Sequence, residues 1–269
     1  MPRTHVLEAI PAQLWRLVKL ARHRVLMFDY DGTLAPFRVE RQEARPTPGA
    51  VDLLRRIGAA GGTTVAIITG RPLAEVERLI DGLPATYIGE HGWERRMPDG
   101  SLVQRPLSVP TKKALESAER SAQALGFGEL LERKRTSVVL HTRSLPAEAA
   151  LSVQESCAAV WRTLAGGEKV IVDHIVGGIE VRAWGCNKGT AALSLLSHAP
   201  PGSIGVYVGD DATDEDAFDA VREWGFGIRV GERNGPTQAM GSLTSCESVP
   251  VFLKEWLMLT CGDDLVAGC

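Results

Sequence analysis

The segment VLMFDYDGTL, residues 25–34, carries an apolar run straight into two carboxylates one residue apart, Asp29 and Asp31, with a glycine behind them. In an extended chain residues i and i+2 point the same way, so both acids would face one site, and Gly32 permits a sharp turn beyond them. Two carboxylates held together repel unless a cation or a shared proton intervenes. A hard divalent ion with oxygen ligands, most simply Mg2+, meets that need.

Other segments supply what phosphate chemistry requires. Thr69 in IITGRP offers a hydroxyl and main-chain N–H groups to phosphate oxygens. Lys188 in CNKGT, opening a helix, offers a cation that can screen a carboxylate nucleophile from a dianionic phosphate. Asp210, Asp211 and Asp214 in VGDDATDEDAF offer further metal ligands. A carboxylate can attack phosphorus to form an aspartyl-phosphate, and a second acid can protonate a departing sugar alkoxide and then activate water. Positioning and charge neutralisation supply most of the rest. Taken singly, each segment has a plainer explanation: a turn or calcium loop, a strand-to-helix cap with Pro at N1, a solvated lysine, acids at a helix N-terminus. Their order and their shared place at the ends of predicted strands are what those explanations leave out.

The elements that must position them read as follows. Residues 4–22 place Leu7, Ile10, Leu14, Leu17 and Val18 at helical spacing. Five short apolar runs then have the pattern of buried strands: RVLMFD (24–29), TVAIITG (64–70), ATYIGEHG (85–92), IGVYVGD (204–210) and FGIRVG (226–231). Amphipathic stretches such as PGAVDLLRRIGAAGG and RPLAEVERLIDGL separate several of them, which argues for a parallel sheet flanked by helices. Ligands of such sheets bind outside the carboxyl ends of the strands. The middle differs: a hairpin around Asp99-Gly100, a helix over 111–125, a strand over 136–142, a helix over 147–165, and strands near 169–173 and 178–184 with a turn at Gly177-Gly178. The expectation is a small α+β domain, residues 109–184, inserted into an α/β core made of 1–108 and 185–269.

The 269 residues, 44% hydrophobic, suffice for one full core or two smaller ones. A net charge of -3, from 30 basic and 33 acidic residues, gives no electrostatic reason to expect nucleic acid or an anionic membrane as partner. No apolar stretch has the length of a membrane span, and the N-terminus lacks a signal-peptide layout, so a cytoplasmic location is the expectation. The five cysteines are odd in number and irregularly spaced, and are read as reduced thiols.

The motifs DYDGTLAP, TGRP, GEHGWE, ERKRTSVVLHTR, GIEVRAWGCNKG and GDDATDEDAF closely resemble trehalose-6-phosphate phosphatases of the haloacid dehalogenase (HAD) superfamily, with matches over residues 24–231. The resemblance implies a Rossmann-like core with an α+β cap of the C2 type inserted between the second and third motifs. It makes Asp29 the nucleophile and Asp31 the general acid/base, whose main-chain carbonyl also binds Mg2+. Asp29 and Asp210 become the direct carboxylate ligands, with Asp214 and Asp211 around metal-bound water, and Thr69 and Lys188 bind the phosphoryl group. In the cap it assigns Glu132, Lys134 and Glu180 to the sugar hydroxyls, with His141 and Arg143 nearby. Carboxylates and an ammonium do read hydroxyls in opposite senses, although the same residues could be solvated surface charges.

Arg71 could pair with a carboxylate or touch phosphate, and His91 could organise the junction of core and cap or contact substrate, beside Glu94 of the HGxE pattern. Trp93 and Trp184 lie near the expected hinges, at 106–110 and 184–187. The chain departs from the family at Ala212, where Arg is common, and at Thr142, within what is usually HYR. The implied activity is Mg2+-dependent hydrolysis of trehalose 6-phosphate by a monomer, paired in function with a trehalose-phosphate synthase. Two alternatives stand beside it: another sugar phosphate, such as sucrose phosphate or a glucosylglycerate phosphate, and a non-catalytic sugar-phosphate sensor or synthase partner.

Overall fold

The computed structural model describes residues 10–38, 40–80, 82–97, 99–165, 169–232 and 235–261. His5, Leu7, the tail 262–269 and Cys269 lie outside them. The chain divides into two compact units, residues 1–103 with 187–269, and residues 104–186. The sequence placed these boundaries at 108/109 and 184/185.

The first unit begins with α1 (Ala12–Leu20), β1 (Arg24–Phe28), α2 (Ala50–Ala59), β2 (Thr63–Ile68), α3 (Leu73–Leu79), β3 (Thr86–Gly89), β4 (Glu94–Arg96) and β5 (Leu102–Gln104), whose last residue opens the second unit. The second unit holds α4 (Val109–Ala124), β6 (Leu131–Arg133), β7 (Ser137–His141), α5 (Ala147–Leu164), β8 (Val170–Ile175) and β9 (Gly178–Ala183). The first unit resumes with α6 (Lys188–Ser197), β10 (Ile204–Gly209), α7 (Glu215–Val221), β11 (Gly225–Val230), β12 (Gly241–Leu243) and α8 (Val249–Cys261).

The eight strands of the first unit run in the order β12-β11-β10-β1-β2-β3-β4-β5. Pairing is parallel from β12 to β3 and turns antiparallel at β4. All five residues of β1 are buried because both faces of the sheet are covered, which is why the strand reads as an unbroken apolar run. Alternate side chains serve different cores. Leu26 and Phe28 join Leu14, Leu54 and Trp256 on one face, while Val25 and Met27 join Ala192, Tyr207 and Phe218 on the other. Each such side chain contributes roughly 1.5–3 kcal/mol of hydrophobic stabilisation.

Strand β1 lies between β2 and β10, so the chain order reverses beside it. That reversal opens a crevice at the carboxyl ends of β1 and β10, the place where open α/β sheets bind ligands. The sequence reading left the region after residue 240 unassigned. There α8 buries Phe252, Leu253, Trp256 and Leu257, with the Phe252 ring 5.1 Å from Trp15 and 6.0 Å from Trp256.

The second unit is a four-stranded antiparallel sheet, β6-β7-β9-β8, with α4 and α5 packed on it. The sequence reading missed β6. Opposed pairs Val138–Val181 and Leu140–Ile179 form an apolar face, whereas the alternate positions Glu132, Val139 and Glu180 line up across the other. The entering and leaving segments of this unit are tied together. Arg105 Nη1 reaches Cys186 Sγ at 3.2 Å, Arg182 Nη1 donates to the Cys186 carbonyl at 3.0 Å, and Arg135 Nη1 donates to the Arg105 carbonyl at 3.0 Å. Among the described residues, Cys157, Cys186, Cys246 and Cys261 are free thiols.

Candidate active site

The main chain leaves β1 with the Asp29 N–H donating to the Val208 carbonyl of β10 at 2.9 Å, which fixes the buried Asp29 side chain in the crevice. Its Oδ1 meets Lys188 Nζ at 2.9 Å. Lys188 is placed by the N-terminus of α6, where Asn187 and Thr190 form a reciprocal capping box that makes the lysine the first helical residue. The same ammonium donates to Asp214 Oδ1 at 2.8 Å and lies 4.0 Å from Asp211 Oδ1. A 3₁₀ turn over Ala212–Asp214 folds Asp214 back under its own loop, where Oδ2 accepts from the N–H groups of Asp210 and Asp211, both at 3.0 Å.

Asp29, Asp210 and Asp214 each offer a carboxylate oxygen within 4.8 Å of the others. Burial and mutual repulsion push the carboxyls of Asp29 and Asp210 well above their ordinary range, against the pull of Lys188. Burial also raises Asp214, while Asp211, despite burial, is lowered by Lys188 and by its bonds from Thr213. Burial opposes the charge on Lys188 too, yet Asp214, Asp29 and Asp211 hold its ammonium well above the usual range. One ammonium faces four carboxyl groups, so their full ionisation would leave uncompensated negative charge in a buried place. An all-oxygen donor set with that charge fits a hard divalent cation such as Mg2+.

Gly32 completes the fit. Its φ of 77° is left-handed, and a Cβ there would overlap Asp210 Oδ2 and Cγ. Replacing Gly32 by Ala should therefore displace Asp210 and weaken Mg2+ binding at least about tenfold, a loss equivalent to roughly 1.4 kcal/mol, measured by calorimetric titration without substrate. Unchanged affinity would remove Asp210 from the proposed metal shell.

Asp31 sits apart from the three-oxygen cluster. Both its oxygens are held by Arg71, from Nε to Oδ2 at 2.6 Å and from Nη2 to Oδ1 at 2.5 Å. Arg71 is buried, donates through Nη1 to Glu75 Oε1 at 2.5 Å and to the Arg41 carbonyl at 3.0 Å, and lies 5.2 Å from the centre of the Tyr30 ring. The carboxylate partner that the sequence allowed for Arg71 is Asp31.

Thr69 is buried after β2, its hydroxyl accepting from the Arg71 N–H at 3.2 Å. The HGxE segment locks this loop. The N–H groups of Glu90 and His91 donate to the carbonyls of Arg71 and Thr69 at 2.9 and 3.0 Å, and Glu94 Oε2 accepts from Leu73 N at the start of α3 at 3.1 Å. Glu90 and His91 have left-handed φ of 47° and 57°, and the His91 ring packs where a side chain at Gly70 would stand.

In the second unit four of the five expected sugar-facing residues form two pairs. Glu132 Oε2 meets His141 Nε2 at 2.7 Å, and Lys134 Nζ lies 3.7 Å from Glu180 Oε1, with both members of the latter pair buried. Arg143, two residues beyond His141, donates from Nη2 to the Val176 carbonyl at 2.8 Å, at the turn between β8 and β9. The sequence reading missed several residues that touch the first-unit site. Thr33 Oγ1 donates to Asp210 Oδ1 at 3.2 Å, Cys246 Sγ to the Gly32 carbonyl at 3.0 Å, and Tyr207 to Asp214. A Tyr inside the otherwise apolar VYVGDD run was the one available signal.

A family model described as trehalose-phosphatase matches residues 27–246. The trehalose-phosphate phosphatase of Mycobacterium tuberculosis strain H37Rv is 34% identical over 248 residues, covering 88% of this chain; the chain thus spans about 61% of that relative's length. The solved C-terminal domain of Candida albicans trehalose-6-phosphate phosphatase aligns with a TM-score of 0.82 at 22% identity, over 96% of this chain and 99% of that one. The Aspergillus fumigatus trehalose-6-phosphate phosphatase aligns with a TM-score of 0.67 at 27% identity, over 94% and 98%.

Proposed function

This chain belongs to the trehalose-phosphatase family, and on that premise we propose that it is a Mg2+-dependent phosphoric monoester hydrolase that converts trehalose 6-phosphate to trehalose and phosphate. The observation that carries the reading is the buried Asp29, held by Lys188 at 2.9 Å and facing Asp210 and Asp214 at the crevice where the strand order reverses. A site built only to bind a sugar phosphate would have no need of a buried carboxylate aimed at the phosphate, because the two anions repel.

Asp29 and Asp210 would hold the Mg2+ with the main-chain carbonyl of Asp31, and Asp211 and Asp214 would add charge around it. When bound, the ion would neutralise phosphate oxygens and draw the Asp29 carboxyl down to its ionised form. Asp29 then attacks phosphorus, the P–O bond to the sugar breaks, and Asp31 gives its proton to the departing alkoxide. In the second step Asp31 takes a proton from water, the water oxygen attacks phosphorus, and phosphate leaves as the Asp29 carboxylate is restored. Thr69 and Lys188 hold the phosphoryl oxygens throughout. Asp31 must carry a proton in the first step, so at least one of its two bonds from Arg71 has to open, and the fork recaptures the carboxylate afterwards.

Glu132, Lys134 and Glu180 would read the sugar hydroxyls, with His141 and Arg143 nearby. Among the described residues no helix is long and apolar enough to cross a membrane. A synthase of the phosphorylated disaccharide is the activity this one would follow.

The test is phosphate release from trehalose 6-phosphate, sucrose phosphate, a glucosylglycerate phosphate and p-nitrophenyl phosphate, with and without Mg2+. Turnover should require the ion and favour trehalose 6-phosphate. Glu180→Ala should lower kcat/KM for trehalose 6-phosphate about 100-fold, because a site built around hydroxyl contacts loses much when one is removed, and change the aryl phosphate less than about threefold. Equal losses on both substrates would take Glu180 out of sugar recognition. Preference for another sugar would move the substrate assignment, and binding without turnover would point to a sensor.

A further inference from the structure

Tyr207 lies in β10 on the face shared with Met27 and Phe218, fully buried, its ring edge-on to Phe218 at 5.8 Å and 73°. Its hydroxyl donates to Asp214 Oδ1 at 2.6 Å. That oxygen also accepts from Lys188 Nζ at 2.8 Å, while Oδ2 accepts from the N–H groups of Asp210 and Asp211. A carboxylate has about four acceptor positions. All four on Asp214 are taken, so it can ligate a cation, or a water on that cation, only by giving up one of these bonds.

The strand is shaped to admit this carboxylate, since a Cβ at Gly209 would overlap Asp214 Cγ. Phe would fill the Tyr207 site as well as Tyr does, and burying a hydroxyl costs free energy unless it is bonded. The hydrogen bond that satisfies this hydroxyl ends on the carboxylate that holds Lys188.

We propose that Tyr207 is a positioning residue for the phosphatase reaction, acting through Asp214, which anchors Lys188 and is not a metal ligand. The inference rests on the function proposed above. With its hydroxyl in place, Asp214 Oδ1 is shared between two donors, and the Lys188 ammonium stays bridged between Asp214 and Asp29. Without it, Oδ1 has one donor fewer, the carboxylate is freer to turn, and Lys188 is drawn off the line it shares with Asp29.

The experiment compares Tyr207→Phe, Asp214→Asn and Asp210→Asn in the full chain, by kinetics on trehalose 6-phosphate and by calorimetric Mg2+ titration without substrate. Tyr207→Phe should lower kcat about 10-fold, the scale of one lost bond to a charged group, with KM and Mg2+ affinity within about twofold of wild type. Asp214→Asn should lower kcat further and leave Mg2+ affinity within about threefold, as expected of a group outside the metal shell, whereas Asp210→Asn should abolish Mg2+ binding. In the Asp214→Asn background, adding Tyr207→Phe should change kcat less than about twofold, the non-additivity of residues that act as one unit.

Wild-type kcat in Tyr207→Phe, or Mg2+ affinity lost in Asp214→Asn as fully as in Asp210→Asn, would overturn the proposal. A rise in KM with kcat unchanged would also do so. Should the wild-type chain release no phosphate, the function proposed above fails, and the Mg2+ titrations alone still decide whether Asp214 is a ligand.

Discussion

Asp29→Asn should lower phosphate release from trehalose 6-phosphate by about 10⁴-fold or more, the scale seen when a nucleophile is removed from a unit of mutually dependent groups. An amide keeps the shape of the side chain but does not attack phosphorus to give the acyl phosphate. The loss should come without loss of fold. Asp29 is one of four acids around one ammonium, and burial together with its neighbours raises its carboxyl in the folded chain. A carboxyl raised on folding binds more protons folded than unfolded, so it lowers stability as pH climbs from the ordinary carboxylate range toward the folded value. Removing it should leave the unfolding temperature at neutral pH without divalent ions unchanged or higher, and should flatten its fall between mildly acidic and neutral pH. Phosphate release by malachite green and thermal unfolding with EDTA check both halves. A variant retaining a tenth of the wild-type rate would end the nucleophile assignment.

Arg71→Ala should cost about 3–5 kcal/mol of stability, because it removes one partner of a buried ionic network and leaves the other charges uncompensated. Arg71 is 2% exposed, and its guanidinium spans Asp31, Glu75 and the Arg41 carbonyl. Glu75 keeps Arg41 Nη2 at 2.7 Å, so the larger share of the damage falls on Asp31. Urea unfolding should show a lower midpoint with the m-value unchanged. Arg71→Lys is the informative companion. It restores a positive charge without the fork, so it should recover part of the stability while kcat stays about 10²-fold down, the lower end of what a misplaced general acid costs. Full recovery of kcat by Lys would mean that Asp31 needs charge nearby and not the paired geometry.

The sheet was legible because its strands are buried on both faces and so read as apolar runs ending in Gly or Asp, and because β1 and β10 deliver their acids just past those ends. The Asp29, Lys188, Asp210 and Asp214 side chains that the motifs singled out do converge in the structure. What could not be read was pairing. Arg71 in TGRP carries no mark of its pairing with Asp31, forty residues away; the pairing depends on β2 lying beside β1. Tyr207 passes for one more apolar strand residue until Asp214 folds beneath it. The end of the chain was opaque for another reason: β12 has three residues, too few for a period, and α8 is apolar on more than one face.

The second unit's outer limits, 104 and 186, lie beyond the helix and strand that marked them in the sequence, because Arg135 and Arg182 pin the carbonyls of Arg105 and Cys186. Those pins make the unit a cartridge. Its entry and exit stand side by side, joined by Arg105 to Cys186 at 3.2 Å, so a host chain interrupted by these residues has no more than a tight turn's distance to bridge. Insertions whose ends meet are the ones a folded host tolerates and evolution can trade. With sugar recognition in this unit, as proposed above, the sugar preference would change by exchange of one contiguous stretch of gene, leaving Asp29, Lys188 and Asp210 untouched on either side of it.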